Sequence, residues 1–415
     1  MTYRDFIPSI ITNLFTPIKE GNGYFYRFYS SRHNAFSDID CMEAFACVPE
    51  VNAVINMKAN ARSNGHFKVV DDNGNEYPNE PILKLLAKPN WFQAGKEFVK
   101  QTTIFHEVFG NEYLYGLFPV GFGFEDSKAL FTLPPNLVKA EYKEKGMFFS
   151  FTEQPKEIQY LFKRTGQDDM NIPVEQIIHM NDNRASIKAG NDKNILTGES
   201  KLKALSAPIN NIKMAYQSRG VVLKYRGANG AWVTKGKDNV GPIPIEPKEK
   251  EELQQAMASY GTLEGQNQDI ITNADLAWVQ RGSNNPQNLG LYQETEESFN
   301  KILDAYGTPS EIFVRQKGAT FENQRIAERG MYVRTIIPEA NEWTMGLNAK
   351  YYPDGKKKLI CDFSHLEIFQ DDLKKRADAV AQMVNALSKM LQDQAITIEE
   401  YKAELKKYGI NSNAA

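Results

Sequence analysis

The stretch from Glu199 to Gly307 constrains this chain more than any other, because two helical patterns flank an insert of mixed character. From Leu202 to Arg226 the apolar residues Leu202, Leu205, Ile209, Ile212, Tyr216 and Leu223 follow steps of three, four, three, four and seven. Those steps lie along one stripe of a helix. From Pro286 to Tyr306, Leu289, Tyr292, Phe299, Ile302, Leu303 and Tyr306 mark a comparable face. Pro286 suits a first helical turn and Gly307-Thr308-Pro309 a stop. Pro208 lies inside the first arm, so that arm is either two segments or a helix bent near Ala207. Two helices that leave a body and return make a stalk, a device for reaching or lining something rather than enclosing a small substrate.

The arms differ in charge. The first carries Lys201, Lys203, Lys213, Arg219, Lys224 and Arg226 against Glu199 alone. The second carries Glu294, Glu296, Glu297 and Asp304 against Lys301. Either the arms pair antiparallel and neutralise one another, at about 0–1 kcal/mol per exposed pair, or the basic face meets something anionic.

With 415 residues the chain exceeds one ordinary domain, and 41% hydrophobic content supplies real cores. A net charge of −3 gives no general drive toward nucleic acid, so any DNA contact has to be local or steric. The cysteines Cys41, Cys47 and Cys361 form no C-x-x-C pair, which suits a reducing compartment and excludes a disulfide scaffold. The apolar run Ile7 to Phe15 is interrupted by Pro8 and Asn13 and reads as neither signal peptide nor membrane span. The protein is expected to be cytosolic when made.

Residues 1–40 are irregular and aromatic, with Tyr24, Phe25, Tyr26, Phe28 and Tyr29 close together; they pack on their own domain or on a neighbouring subunit. Cys41 to Asn64 reads as helix interrupted at Pro49, Phe67 to Val70 as a strand, and Asp71 to Gly74 as a turn. Pro81 to Leu86 and Ala94 to Phe109 read as helices, the second stopped by Gly110. Strands are expected at Glu112–Leu117, Ala129–Leu133, Lys139–Tyr142, Met147–Thr152, Ile158–Lys163 and Ile177–Met180, with Ala185–Leu196 as a link. Helices followed by short strands indicate an α+β body. The insert reads as strand (Ala231–Thr234), extended segment (Gly241–Pro244), helix (Glu246–Tyr260) and two strands (Asp269–Thr272, Leu276–Gln280). Beyond the stalk come a polar loop at Arg315–Thr320, a long helix from Phe321 to Lys350 kinked by Pro338, and a β-like stretch from Lys358 to Phe369. Asp371–Leu391 is an amphipathic helix, and Thr397 with Glu400 forms a capping box for a last one.

Catalytic signatures are missing. There is no G-x-x-x-x-G-K-[ST], and Gly121-Phe122-Gly123-Phe124 lacks dinucleotide-loop spacing. His106-Glu107 does not continue as a zincin motif, and the scattered His33, His66, His106, His179 and His365 share no ligand-like spacing. Thr197 to Ser200 is no nucleophile elbow, because Leu202 stands where a second glycine belongs.

The order of motifs resembles the portal proteins of tailed bacteriophages. Gly198-Glu-Ser-Lys-Leu202, then Tyr225-Arg-Gly-Ala-Asn-Gly230-Ala-Trp-Val233, is similar to that family's "G-x-S-x-L … F-x-N-G" helix and turn. Lys201 stands where proline is common, and Pro208 is a further departure. Phe299 to Pro309 resembles "I-x-x-x-F-G-V-P", and Phe321 to Pro338 the "N … Y-x-x-x-I-x-P" helix that follows. Asn111-Glu-Tyr-Leu, Leu133-Pro-Pro135, Gln176 to Met180, Asp362-Phe363 and Ile396 to Tyr401 agree in order and spacing. No one motif is specific; their order across residues 40–410 carries the resemblance.

The resemblance implies an α+β, portal-type fold: a wing (1–197 and 325–370), stem helices (198–226 and 286–308), a clip (227–285), a tunnel-loop region (309–324) and a helical crown (371–415). It implies a dodecameric ring at one capsid vertex, a channel for packaging and ejecting double-stranded DNA, and no cofactor, metal or membrane. Expected partners are other copies, DNA, the terminase large subunit, a head–tail adaptor, and the major capsid protein or scaffold. The location would be the virion, with assembly in the host cytoplasm. Arg315, Gln316, Lys317 and Thr320 would face DNA, with a basic stem face of Lys213, Arg219, Lys224 and Arg226. Trp232, Lys235, Lys237, Glu249 and Glu252 would meet the motor or adaptor. A head or tail ring adaptor stays open as an alternative. So does a nucleic-acid enzyme, for which Asp168-Asp169 and Asp371-Asp372 are the nearest carboxylate pairs.

Overall fold

The computed structural model describes residues 36–119, 121–142, 158–164, 166, 168–182, 196–224, 230–234, 237–238, 241–242, 247–248, 251–252, 276–280, 290–313, 321–393 and 395–407. The strand expected at Met147–Thr152, the link Ala185–Leu196 except for Leu196 itself, the strand Asp269–Thr272, most of the helix Glu246–Tyr260, and Pro286 with Leu289 lie outside those residues.

The chain enters through helix α1 (Asp38–Cys47), capped by a reciprocal Ser37–Asp40 box, and α2 (Pro49–Ser63). Pro49 occupies the first turn of α2, where a missing N–H costs nothing, so the expected interruption falls at Val48. Strand β1 (His66–Asp71), α3 (Pro81–Ala87) and α4 (Gly95–Phe109) follow. Helix α4 stops at Gly110 with φ 68°. A Cβ there would sit 2.4 Å from the carbonyl of Glu199, so the close approach itself demands glycine.

Next come β2 (Asn111–Leu117), β3 (Ala129–Leu133), β4 (Val138–Tyr142), β5 (Ile158–Phe162), β6 (Met170–Ile172) and β7 (Ile177–Asn181). They make two antiparallel three-stranded sheets, ordered β3-β2-β7 and β4-β5-β6. The sequence reading missed β6, whose three residues are too few to show alternation. Tyr113, Val138, Ala140, Tyr160, Ile172 and Ile177 fill the core between the two sheets.

The first stalk arm is α5 (Lys201–Ala204) and α6 (Ser206–Lys224), broken at Leu205 so that Pro208 falls in the first turn of the second segment. The insert shows β8 (Gly230–Thr234), β9 (Lys237–Asp238), β10 (Gly241–Pro242) and β11 (Leu276–Gln280). Strands β8 and β11 pair antiparallel, with Trp232 across from Trp278. The second arm is α7 (Leu291–Ala305), closed by Gly307 at φ 60° and a Thr308 N–H that donates to the Leu303 carbonyl at 2.9 Å.

After the stalk, α8 (Phe321–Met331) passes through a π turn (Tyr332–Ile336) into α9 (Ile337–Tyr351). Pro338 has no N–H for the Arg334 carbonyl, and the π turn just before it absorbs the mismatch. Strand β12 (Lys357–Asp362) pairs with β1, joining the two ends of the body. Glu367–Phe369 open helix α10 (Glu367–Gln392) rather than extending a strand, a correction to the β-like reading of Lys358–Phe369. Helix α11 (Ile398–Lys407) begins at the expected box, with Thr397 N–H donating to Glu400 and Glu400 N–H to Thr397 Oγ1. It packs against α10, where Ser388 and Tyr401 hydroxyls meet at 3.2 Å.

The stalk arms are antiparallel: Lys201 lies over Tyr306 at their base, and Arg219 over Tyr292 further out. Their inner halves belong to the main core. Leu202, Leu205, Ile209 and Ile212 of one arm pack with Phe299, Ile302, Leu303 and Tyr306 of the other, and with Val51, Val54, Ile55 and Phe109. Each such fully buried side chain stabilises by about 1.5–3 kcal/mol. Further out the stripe surfaces: Tyr216 is 41% exposed, Tyr292 56% and Leu223 73%.

Candidate functional site

The root of the stalk is held by backbone before it is held by charge. Asn111 grips Gly198 twice, its Nδ2–H donating to the Gly198 carbonyl at 2.9 Å and its Oδ1 accepting the Gly198 N–H at 2.7 Å. A Cβ on Gly198 would meet the Asp182 and Gly110 carbonyls at 2.2 Å. Ser200 donates its hydroxyl to the Val108 carbonyl at 2.5 Å and accepts the Leu202 N–H at 3.1 Å, capping α5. The G-x-S spacing is therefore the joint between stalk and body.

Behind this joint lies a buried charge network. Lys58 Nζ is 2.5 Å from Glu107 Oε1 and 2.7 Å from Glu339 Oε1, and both Lys58 and Glu107 are 0% exposed. Lys201 Nζ lies 3.0 Å from Asp182 Oδ2, 3.4 Å from Glu107 Oε2 and 3.9 Å from Glu339 Oε1. Tyr306 covers both ammoniums and donates its hydroxyl to the Glu107 carbonyl at 3.1 Å. The network joins α2, α4, Asp182 just after β7, the roots of both stalk arms and α9.

Its charges set one another's protonation. Burial pushes the Glu107 carboxyl up, and Lys58, Lys201 and His106 more than reverse it, to about 2. Burial pushes Lys201 down, but Glu107, Glu339 and Asp182 together raise it. Glu339, buried and beside Glu107, is raised despite Lys58. Glu107 and Lys201 are thereby held in their charged forms at neutral pH. Among the described residues no group of three or more His, Cys, Asp or Glu side chains is placed to hold a metal.

The residues expected to carry function fall in three places. Lys213 is half-buried and pairs with Glu43 at 3.3 Å. Arg219 stacks on Tyr216 and Tyr292, at 4.5 and 5.2 Å to the ring centres, and its Nη2 donates to Thr295 at 3.3 Å. Lys224 ends α6, Trp232 and Lys237 lie in β8 and β9, and Glu252 is exposed. Arg226, Lys235, Glu249, Arg315, Gln316, Lys317 and Thr320 lie outside the described residues.

Of the two alternatives for the stalk charges, neutralisation across the arms is not what the described cations do. Lys201, Lys203 and Lys213 reach back to Glu107, Asp38 and Glu43 on the body. The arms meet instead through an Asn211–Glu294 hydrogen bond of 2.6 Å and the Arg219 stack. The physical reason is proximity: body carboxylates lie within reach of these lysines, Glu107 and Asp182 of Lys201, Asp38 of Lys203 and Glu43 of Lys213.

The fold also unites residues the sequence kept apart. His66 and His365 stack face to face at 3.7 Å, and His179 packs on Tyr113 while meeting Asn111 at 3.2 Å. Lys58 and Glu339 had no sequence reading and Glu107 only as part of a rejected zincin motif, although a charge on an apolar helix stripe, as at Val54-Ile55-Met57-Lys58-Ala59, is the signal that could have found Lys58.

The family model described as phage portal protein matches residues 49–405. Among solved structures, the chain is similar to one from the neck of an empty gene transfer agent particle, computed with C6 symmetry. That likeness has 19% identity and a TM-score of 0.57, and covers 83% of this chain and 89% of that chain. It is similar also to a chain from the neck of a native gene transfer agent particle computed with C12 symmetry, at 17% identity and TM-score 0.55, covering 89% and 92%. An HK97-family phage portal protein from Corynebacterium diphtheriae matches at 12% identity and TM-score 0.53, covering 77% and 94%. At these identities the likeness is one of fold. A search of curated proteins gave no match.

Proposed function

This chain belongs to the phage portal protein family, and from that premise we propose that it assembles as a dodecameric ring at one vertex of a viral head. The ring is the channel through which double-stranded DNA enters during packaging and leaves on ejection. The observation that carries this reading is the stalk: two antiparallel arms rooted in the body core, with a β8–β11 strand pair between them in the chain. A ring of such stalks lines a channel, with the insert as the clip that docks the terminase motor and later the head–tail adaptor. The wing meets the capsid protein or scaffold. The chain itself performs no catalysis in this scheme.

The stalk cations support a channel that passes DNA without holding it. Each phosphate neutralised by a free lysine or arginine adds salt-dependent affinity that would slow translocation. Lys201, Lys203, Lys213 and Arg219 are all engaged by groups of their own chain. The closest approach to DNA is assigned to the loop Arg315–Thr320, between α7 and α8, with Arg315 and Lys317 touching phosphates. Among the described residues no helix is long and apolar enough to cross a membrane.

Negative-stain and cryo-electron microscopy of the purified full chain test the reading. A ring with a central hole as wide as a DNA duplex is expected. A monomer, or a closed ring with no such passage, overturns it.

A further inference from the structure

Beside the charge network lies a second polar space, a cavity of about 300 Å³ whose wall includes Arg62, His106, Glu112, Asn181, Glu339 and Trp343. Its lining residues come from α2, α4, β2, β7 and α9, beside the place where α9 packs on the β3-β2-β7 sheet. Glu112 is fully buried and Arg62 only 4% exposed. Three atoms of this wall are shielded from solvent and have no hydrogen-bond partner among the described residues: Arg62 Nη2, His106 Nδ1 and Glu112 Oε2.

Their neighbours are already committed. Glu112 Oε1 accepts the Trp343 Nε1–H at 2.6 Å, which fixes the carboxylate and leaves Oε2 turned away from the indole. Arg62 stacks over the Trp343 ring at 5.2 Å, which fixes the guanidinium. His106 Nδ1 and Glu112 Oε2 stand 3.9 Å apart, too far for a direct hydrogen bond. An oxygen placed about 2.8 Å from each would subtend roughly 90° between them, within what a water molecule can span.

We propose that this cavity is a built solvent site, in which one ordered water joins Arg62, His106 and Glu112 and further waters fill the remainder. The bridging water accepts from Arg62 Nη2–H and donates one proton to Glu112 Oε2 and the other to His106 Nδ1. Burial lowers the His106 pKa to about 4, which leaves its ring neutral and able to accept. Buried polar groups are almost always satisfied, and a buried water needs two to four polar partners and room to sit; the site supplies both. A metal ion fits less well, because the Arg62 guanidinium lines the same space and, among the described residues, no group of three or more His, Cys, Asp or Glu side chains is placed to hold one. The water joins helices α2 and α4 to strand β2, beside the direct Trp343–Glu112 hydrogen bond that already ties β2 to α9.

The test is a map of the full chain, from crystals or a particle, at about 2 Å. The expected result is a peak within 3.2 Å of all three atoms, without anomalous signal when data are collected at transition-metal edges. A peak with metal-like distances, an Arg62–Glu112 ion pair closing the space, or an empty site overturns the proposal. A double-mutant cycle gives a second measurement in solution. Arg62→Met and His106→Leu should each lower the urea midpoint, and the double variant should lower it by less than their sum. Strictly additive shifts count against a shared water. Neither result depends on whether the chain forms a ring.

Discussion

Replacing Lys58 with methionine puts the charge network to a quantitative test. Methionine keeps most of the lysine stem's volume, so the packing around α2 changes little and the loss is electrostatic. Glu107 Oε1 loses an ammonium at 2.5 Å and Glu339 Oε1 one at 2.7 Å, leaving both carboxylates to Lys201 at 3.4 and 3.9 Å. Breaking a buried pair by removing one partner costs about 3–5 kcal/mol, and the surviving Lys201 contacts place this case near 3. Urea unfolding of the full chain, followed by circular dichroism and tryptophan fluorescence, measures it. The double variant K58M/E107Q removes the orphaned charge and should recover part of the loss. The pH dependence has a definite sign. Glu107 is held at about 2, below its ordinary value, so its pairing stabilises fully above about pH 4.5 and is lost as pH falls toward 2. The gap between parent and K58M should therefore shrink across that window. A single variant that costs under about 1 kcal/mol, or a gap that widens on acidification, refutes the reasoning.

Gly110→Ala forces a Cβ to 2.4 Å from the Glu199 carbonyl at a φ of 68° and should cost more than about 1 kcal/mol or abolish soluble yield, read by thermal unfolding. Arg315→Ala with Lys317→Ala should leave heads that assemble normally yet package or retain DNA poorly; heads that fill and hold genomes as the parent does would remove the loop from the DNA contact. Deleting Ala228–Gly282 and closing the gap should leave a soluble body that no longer captures the terminase motor in a pull-down, and full motor binding by the deletion would end the assignment of the clip.

Much of the fold was legible because its punctuation is chemical. Pro49, Gly110, Gly307 and the Thr397–Glu400 box fall where the chain changes direction or a helix begins, and each acts through a local geometric rule. The broken first arm was readable from Pro208 alone, though not the place of the break, since a proline is tolerated in a first turn and the helix simply restarts ahead of it. What misled was composition over a short window. The run after Lys358 is rich in β-formers, yet Glu367–Phe369 join a helix whose later turns pack on α11, a contact no local window contains.

The stalk root was less legible, and the reason is that its charges are meaningful only in pairs. Lys58, Glu107, Lys201 and Glu339 are far apart in the chain, and each alone reads as a solvated side chain. The stalk's cation excess therefore offered two readings, pairing across the arms or a surface for an anion, whereas Lys201 is a structural counter-ion to Glu107, Asp182 and Glu339. Position along the arm decides which role a cation takes. At the root, Leu202, Leu205, Ile209 and Ile212 are drawn into the core, and Lys201 just ahead of them is largely drawn in as well, which is tolerable only with carboxylates waiting. Further out, Tyr216 and Tyr292 are half uncovered, and Arg219 lies across both rings instead of reaching a carboxylate of the opposite arm. A guanidinium stacked in this way keeps its charge while its flat face is shielded, so the arms are tied by an interaction that ionic strength screens weakly. For a stalk proposed to stand around a polyanion, that is a physical advantage over exposed lysine–glutamate pairs, which a passing phosphate backbone would compete for.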